Sequence, residues 1–501
     1  MTDSVETEPG TTRRTFIKRS AGTAAGLAVG TGLMGEAVAL AGKRAPSPLL
    51  QAKPGRLAST KTMWKWNEYL AGLGARHTGS PSEVRFTHDI RQAMKRLGWK
   101  TSVKPQTFDN WEANSYSLTV TPAGGSARKV RVGYYYPYSG RTGRSGITGE
   151  LAYAGSGRSA ADFAGGSFAG KIAVIDVPPF SVPVGVAFNA WDRKFAADVD
   201  ITKPYDRSWV ATGPPLKAAK EAGAIGAIII LPEAPADGKG QYSPFGLELQ
   251  GLPALNVDAP TGDMLRSLAQ TPGNKAKMTL TATRSKGKTR ALMAVLPGAS
   301  DEVVVVNTHT DGTNLIEENG PLAMISLAQR LSAIPKADRP VTFAFYFATG
   351  HFQADVVSAP AYITDYPKLF ERTKAGLTIE HLGCPEYETD HKNVFKKTGK
   401  PEISGLFSSN RTLANMARPV IEAKGVARCT VMQPTPVFFG EGRDLHAEGI
   451  PMLAYIAGPH YLLAERSKKV QLERFNVNRM QAETRAFAAM LDKLAVMPRT
   501  S

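Results

Sequence analysis

The clearest pattern along the chain is a short β-branched run, a polar turn and a helix-like repeat. Residues 303–306 are an uninterrupted run of valines, typical of a parallel-sheet strand covered on both faces. Pro321 suits the first turn of a helix, Asn319 can cap it, and apolar residues then recur near one helical face as far as Leu331. We therefore expect a buried strand, a loop and a helix across residues 303–331.

The same alternation continues towards the carboxyl end. We expect further strands at residues 341–347, 376–379, 434–439 and 452–456, and a last amphipathic helix at 476–494. Two helices and several strand-like stretches precede this region, between residues 60 and 136. The pattern predicts an α/β fold with a mixed, mostly parallel sheet flanked by helices.

Composition adds a domain count and a charge. A chain of 501 residues is too long for one ordinary domain, and its 42% hydrophobic content can fill two cores. The net charge is +17, but the basic residues are scattered, which favours a solvated basic surface over a site for nucleic acid or anionic cell-envelope polymers. Cys384 and Cys429 are the only cysteines, so they can form one disulfide or remain two free thiols.

Residues 1–41 have the parts of an export signal in the right order. Residues 12–18 (TRRTFIK) resemble the twin-arginine motif, 21–34 are weakly apolar, and 39–41 (ALA) fit a cleavage site. No other segment has the ~18 consecutive apolar residues that a membrane helix needs. We expect a secreted protein that leaves the membrane after signal cleavage.

The middle of the chain has a different sequence pattern from the rest and resembles a different domain. The segments GKIAVID, KAAKEAGAIGAIII and LPALNV follow one another between residues 170 and 257. Their order resembles the protease-associated (PA) domain, a small β-rich domain inserted in exported hydrolases. The resemblance implies a PA domain at 140–285, inserted between the parts 55–135 and 288–498 of one α/β domain.

Imidazoles and acids gather at the predicted strand ends of the carboxyl-terminal region. Five of the eight histidines lie there: His309, His351, His381, His446 and His460. Carboxyl ends of parallel strands share one edge of a sheet, where sites form. The candidate metal ligands are His309, Glu317, His351, Glu380 and His446, and the candidate catalytic acids are Asp311, Glu318 and Glu441. These donors suit a zinc-type ion, which activates water for attack on a carbonyl.

Several of these segments resemble the zinc-dependent aminopeptidases that often carry a PA domain. The matching segments are VVVVNTHTDG, NGPLAMISLAQRL, VTFAFYFATGHF, AGLTIEHLG and EGIPMLAYI. The resemblance implies that His309 is the first zinc histidine, that Asp311 is the acid that orients it, and that Glu380 is an acidic ligand. It also implies one or two zinc ions and a peptide or amide substrate.

The chain departs from the family pattern at the metal site. Glu317 or Glu318 stands nearest to the absent bridging aspartate, and the Glu-Glu pair is replaced by Thr349-Gly350 with His351 beside it. The last zinc histidine lacks a counterpart at its usual spacing. These departures leave open which of Glu317 and Glu318 faces the site.

Three hypotheses follow from a chain that resembles the family in its segments but departs from it at the metal site. In the first, a metal-dependent hydrolase holds one ion through His309, His351 and Glu380. Glu318 is then the base, and Asp311 fixes the tautomer of His309. In the second, the chain is an inactive secreted binding protein that kept the scaffold. In the third, carboxylates hydrolyse the substrate in the same cleft without a metal.

Overall fold

The computed structural model describes most of the chain between residues 46 and 499. Within that range it leaves out 157–160, 165–167, 179, 189, 193–196, 208, 210–212, 214–215, 244, 433 and 435–437. The predicted export signal at 1–41 lies outside the described residues. In the described part, no helix has the length and apolar character needed to cross a membrane.

The described residues form strands and helices along the whole range. The strands are β1 Lys100–Thr121, β2 Arg128–Val130, β3 Tyr134–Tyr135, β4 Ile147–Tyr153, β5 Ile172–Asp176, β6 Phe180–Pro183, β7 Ala190–Asp192, β8 Pro204–Arg207, β9 Gly226–Ile230, β10 Ala254–Val257, β11 Lys275–Leu296, β12 Val303–His309, β13 Thr342–Ala348, β14 Thr373–Ile379, β15 Pro385–Thr389, β16 Phe395–Pro401, β17 Ser404–Ser408, β18 Cys429–Met432 and β19 Met452–Ala457. The α-helices are α1 Thr60–Leu73, α2 Pro81–Arg96, α3 Ala161–Ala164, α4 Val184–Ala187, α5 Leu216–Glu221, α6 Pro235–Gly238, α7 Ala259–Ala269, α8 Gly320–Ser332, α9 Ala361–Asp365, α10 Pro367–Phe370, α11 Arg411–Ala423, α12 Arg443–Ala447, α13 Lys468–Glu473 and α14 Val477–Val496. Short 3-10 turns occur at Pro48–Gln51 and Lys336–Asp338.

The centre of the main sheet is parallel. Its strands run in the order β13, β12, β14, β19, and each is parallel to its neighbour. On either side an antiparallel strand follows, β11 beside β13 and β17 beside β19. Helices cover both faces, so the α/β architecture expected from the alternating pattern is confirmed.

The strand β12 shows why the valine run predicts a central position. All of its residues are buried, and successive side chains point to opposite faces. Val304 and Val306 join the core beneath α8 and α14, whereas Val303 and Val305 join the core on the other face. A strand apolar on both faces can lie only between two helical layers.

Helix α8 begins where the sequence predicts, but its cap differs. Pro321 lies in the first turn, and Asn319 occupies the cap position without a capping side-chain bond. The Asn319 side chain instead bonds the backbone of Leu382 at 2.9 and 3.0 Å. The Glu318 carboxylate accepts the Gly320 N–H at 2.5 Å. A side chain at Gly320 would meet the Ile379 carbonyl at 2.2 Å, so the approach of helix to strand requires glycine.

The region between residues 134 and 285 continues the sheet. Strands β4, β5, β9 and β10 are parallel neighbours, and β11 joins them to the central strands because its two ends pair with β4 and β13. Residues 178–206 are rich in proline and aromatic residues, a composition that predicts a long loop, but here β6 pairs with β8 and the short β7 pairs with β18. The PA-domain assignment and its boundaries stay a prediction.

Two local expectations need comment. Pro434, Phe438 and Phe439 lie outside any strand, and the strand of this region is β18, Cys429–Met432, so the predicted strand at 434–439 is wrong where its residues are described. Phe438 is buried there and stacks on the ring of His446. Cys384 and Cys429 are buried and free, which settles the two alternatives against a disulfide.

Candidate metal centre

The carboxyl ends of three neighbouring strands bring the site together. His309 is the last residue of β12, Glu380 and His381 follow β14, and His351 comes three residues after β13. The turn between β12 and α8 carries Glu317 and Glu318 to the same edge. Parallel strands end side by side, so residues far apart in sequence meet here.

His309 is fully buried and has one ring nitrogen engaged. Its Nδ1–H donates to the backbone carbonyl of Asp311 at 2.7 Å, and the Asp311 carboxylate is farther away at 3.4 Å. We expected the Asp311 carboxylate to fix the tautomer of His309, but the shorter bond shows that the backbone carbonyl of Asp311 chiefly does so. The Nε2 atom lies 3.2 Å from Glu318 Oε2, and neither atom forms a hydrogen bond within the described residues.

His381 repeats this arrangement from the neighbouring strand. Its Nδ1–H donates to the Ala457 carbonyl at 2.7 Å, and its Nε2 lies 3.9 Å from Glu317 Oε2. A φ of 56° places His381 in the left-handed region, which a non-glycine residue adopts at a cost. The sequence places His381 at a strand end but gives no sign that it is a ligand. The direction of its ring depends on its contact with β19, which the local sequence does not show.

Two sets of donor atoms converge closely enough to hold an ion. The inner donor group is His309, Glu318 and His381, and the outer donor group is His309, Glu317 and His351; within each group the donor atoms lie within 4.8 Å of one another. Engagement of Nδ1–H leaves the Nε2 lone pair of a neutral histidine free. The free atoms of the inner group are two imidazole nitrogens and a carboxylate oxygen, a donor set that fits zinc.

Burial shifts the pKa values of the carboxyl groups and histidines at the site. Burial raises the pKa of Glu317 to about 8, raises that of Glu318 well above its usual value, and raises that of Glu380. Burial and the charge of His309 lower the pKa of His381 to about 3, which keeps that ring neutral. Burial opposes protonation of His309 as well, but the carboxylates of Glu318 and Asp311 raise its pKa. A bound cation would favour the charged carboxylates over the protonated ones.

Glu441 and Glu380 support the site without joining either donor group. Glu441 accepts His351 Nδ1–H at 2.7 Å, and its other oxygen accepts Ser358 Oγ and the Ala359 N–H at 3.1 Å each. Glu380 accepts the Glu441 N–H at 2.6 Å. Glu441 therefore orients His351, whose ring stacks on that of His309 with centroids 4.2 Å apart.

Two other predicted residues lie differently. Asp311 is buried and accepts Thr78 Oγ1 at 2.5 Å, which holds its carboxylate beside His309 without placing it in a donor group. His446 is partly exposed and stacks on Phe438 with ring centroids 4.6 Å apart. The structure brings His309, Glu317, Glu318 and His351 together and leaves His446 outside.

Two buried charged residues near the site were not anticipated from the sequence. Arg76 donates to the carbonyls of Thr310, Asn314 and Glu318 at 3.0 to 3.3 Å, so it holds the turn that carries the acids. Glu83 is surrounded by threonine hydroxyls, and burial raises its pKa to about 7. The sequence signals are weak, because both residues lie more than 200 positions before the turn that they contact.

The site is covered from solvent except at one histidine. His309, Glu317, Glu318 and Glu380 are at most 1% exposed, whereas 24% of the His351 side chain is exposed. Phe245 stacks on the His351 ring with centroids 5.0 Å apart. Among these residues His351 is therefore the most exposed to solvent, and Phe245 packs against it.

Comparison with solved structures finds close architectural relatives. An aminopeptidase from Aneurinibacillus sp. strain AM-1 superposes with a TM-score of 0.60 at 16% identity, covering 91% of this chain and 97% of the other. BSAP, a zinc aminopeptidase from Bacillus subtilis, gives 0.60 at 17% identity over 88% and 96% of the two chains. A peptidase M28 precursor from Shewanella amazonensis SB2B gives 0.58 at 16% identity over 88% and 100%.

The chain has an aminopeptidase-like fold. The superpositions cover nearly the full length of each relative, so the likeness extends over the described part of the chain as a whole. No family model matches the sequence, and no curated protein matches it. At this identity the likeness establishes the fold and not the activity.

Proposed function

We propose that the protein is a metal-dependent hydrolase that cleaves peptide or amide bonds in small substrates outside the cytoplasmic membrane. The observation that carries the proposal is the convergence of free donor atoms in the inner donor group. Buried ionisable groups without partners cost several kcal/mol unless they bind or react. The aminopeptidase-like fold supports a peptidase-like activity, and the twin-arginine pattern at residues 12–18 supports export.

The residues divide into ligands and a base. His309, Glu318 and His381 would hold one zinc-type ion, because the two donor groups share His309 and its single free nitrogen. Such an ion supplies a water of lowered pKa and polarises the substrate carbonyl. Glu317 is then the carboxylate left to accept a proton, at 3.9 Å from His381. In this proposal Glu318 is a ligand instead of the base, and Glu317 is the base instead of a ligand. His381 takes the ligand place that the sequence-based hypothesis gave to His351 and Glu380.

The test combines metal content with turnover. Mature protein is reconstituted with zinc, analysed for metal, and screened against amino-acid amides, dipeptides and esters with and without chelator. We expect close to one equivalent of zinc and chelator-sensitive turnover, with both lost in His309→Ala and His381→Ala. His446→Ala is the matched control, since it removes an imidazole from the same domain outside the donor groups. Chelator-insensitive turnover would support the carboxylate hydrolase instead.

One observation favours a second candidate, a secreted binding protein with a buried metal. Only His351 among the proposed site residues is appreciably exposed, and the ring of Phe245 stacks on it. In addition, Thr349, at the position of the family's Glu-Glu pair, is fully buried and bonds Glu83 at 3.3 Å. Bound zinc without turnover on any substrate of the screen would support this candidate.

A further inference from the structure

The segment from β8 to Trp209 is tied to the end of β19 by three side chains. Tyr205 Oη and Arg207 Nε donate to the carbonyl of Gly458 at 3.1 and 2.7 Å. Trp209 Nε1 donates to the carbonyl of the next residue, Pro459, at 2.9 Å. Three donors from one short segment thus hold two consecutive carbonyls, and we call these three residues the strand-end clamp.

The clamp requires a glycine at the position that it holds. A side chain at Gly458 would meet the Tyr205 hydroxyl at 2.4 Å and the Trp209 ring at 3.0 Å. Glycine permits this approach but leaves the backbone more conformational freedom than any other residue. The clamp therefore adds to the local restraint that Pro459 already places on the chain after β19.

Arg207 is itself held firmly. Its side chain is 8% exposed, and its guanidinium donates to Glu402 Oε1 and to His460 Nε2, each at 3.0 Å. A buried pair of this kind is weak evidence for stability, because desolvation offsets much of the attraction. It does fix geometry, since the planar guanidinium reaches Gly458, Glu402 and His460 at once.

The clamp adjoins a candidate metal ligand. Ala457 is the last residue of β19, and its carbonyl accepts the Nδ1–H of His381 at 2.7 Å. This bond sets both the tautomer and the aim of the His381 ring. The Ala457 carbonyl belongs to the peptide bond that joins it to Gly458, so the restraint on Gly458 is transmitted to the acceptor of His381.

We propose that Tyr205, Arg207 and Trp209 are positioning residues for His381, which they orient through the backbone of Ala457 and Gly458. The segment that carries the clamp is then part of the site rather than a passive cover. This inference rests on the proposed function in one respect, the role of His381 as a ligand. The orientation of His381 itself can be measured without any metal.

The experiment uses the full mature protein and two clamp variants. Arg207→Lys keeps the charge but loses the planar fork, and Tyr205→Phe/Trp209→Phe keeps the Arg207–Glu402 pair while removing two donors. Arg428→Lys is the matched control, a nearly buried arginine that donates to the Pro401 carbonyl at 2.7 Å and pairs with Glu386. Unfolding in urea identifies any variant that does not fold. If Arg207→Lys does not fold, the Tyr205→Phe/Trp209→Phe variant alone tests the inference.

Two readouts separate positioning from general stability. We expect each clamp variant to weaken zinc affinity by about 10- to 100-fold, as changes in the partners of metal ligands do, and to alter the visible spectrum of the cobalt-substituted protein. We expect the control to change neither. Wild-type affinity and spectrum in both folded clamp variants would overturn the inference.

A third readout distinguishes failure of the inference from failure of the proposed function. In metal-free protein with nitrogen-15-labelled histidine, the wild type should show His381 as the Nδ1–H tautomer, and the clamp variants should show a mixture. If the wild type binds no zinc, the metal proposal fails while this measurement still tests the clamp. An unchanged tautomer in the variants would then overturn the clamp itself.

Discussion

Three histidines of the site keep one ring nitrogen free in the same way. The Nδ1–H groups of His309 and His381 donate to backbone carbonyls, and that of His351 donates to the Glu441 carboxylate. A backbone carbonyl can only accept a hydrogen bond, so the imidazole nitrogen that contacts it must carry the proton. The free Nε2 atoms of His309 and His381 are therefore a consequence of strand geometry and not of any local sequence motif.

Glu318 offers a test at the scale of one residue, since Gln has nearly the same shape. Burial raises the pKa of Glu318 and so disfavours its charged form, and the neutral amide of Glu318→Gln should therefore change the free energy of unfolding of the metal-free protein by less than about 1 kcal/mol. The variant should lose the stabilisation by zinc, about 2.7 kcal/mol at a zinc concentration of 100 times Kd in the wild type. Urea unfolding with and without zinc measures both, and His446→Ala should behave as wild type. Equal zinc stabilisation in Glu318→Gln would contradict its role as a ligand.

The sequence predicts strand ends well and side-chain direction poorly. The run at 303–306 locates His309 at the end of β12 because strand length and polarity are local properties. The positive φ of His381 and the bond between Glu380 and the Glu441 backbone depend on chain segments about 60 residues or more away. The bond that Glu380 accepts and the aim of the His381 ring both depend on this non-local control, so the local sequence cannot show where either side chain points.

At the scale of elements, the turn between β15 and β16 is tied to β8 by an ion pair. His391 Nε2 lies 2.5 Å from Asp206 Oδ2, and His391 Nδ1 bonds the Pro232 carbonyl at 3.0 Å. The bond to Asp206 raises the pKa of His391, and His391 in turn lowers that of Asp206 against the effect of burial. The pair therefore anchors β8, and with it the strand-end clamp, in its charged form.

The direction of this shift predicts how stability depends on pH. A histidine whose pKa is raised on folding contributes all of its stabilisation below its unfolded value of about 6.5, and loses it as pH rises through the folded value. His391→Gln should therefore lower the free energy of unfolding by about 1 kcal/mol at pH 6 and by less at pH 9. Urea unfolding across this range checks the result, with His88→Gln as the control on the exposed face of α2. A difference independent of pH would show that the pair is not ionic.

The elements that the sequence misplaces share a physical cause. The insertion at 178–206 was expected to be a loop, yet β7 pairs with β18 and β8 reaches the end of β19. Short strands at such places are held by their partners and carry little periodicity of their own. By contrast, β12, β13 and β19 are buried on both faces, and an apolar run alone suffices to predict them.

At the scale of the molecule, the ring that covers His351 and the donor groups themselves come from distant parts of the chain. Phe245 precedes β10, and His351 follows β13, yet their rings stack beside the donor groups. The sequence gives no hint of the pairing, because the two residues lie over 100 positions apart in segments without a shared pattern.

This cover makes a prediction about the rate of metal exchange. With the ligands at most 4% exposed, chelator can reach an ion only when the cover opens, so zinc release should be slow and independent of chelator concentration at high excess. Phe245→Ala removes the ring over His351 and should speed release by about 10-fold or more, while equilibrium affinity changes much less because Phe245 holds no donor atom. Stopped-flow mixing with a chromophoric chelator measures the rate. Phe395→Ala, which removes a ring of β16 that stacks on Tyr387 of β15, should leave the release rate unchanged. Release proportional to chelator concentration, at the same rate in wild type and Phe245→Ala, would mean that ions enter by another route and that substrates need not pass His351.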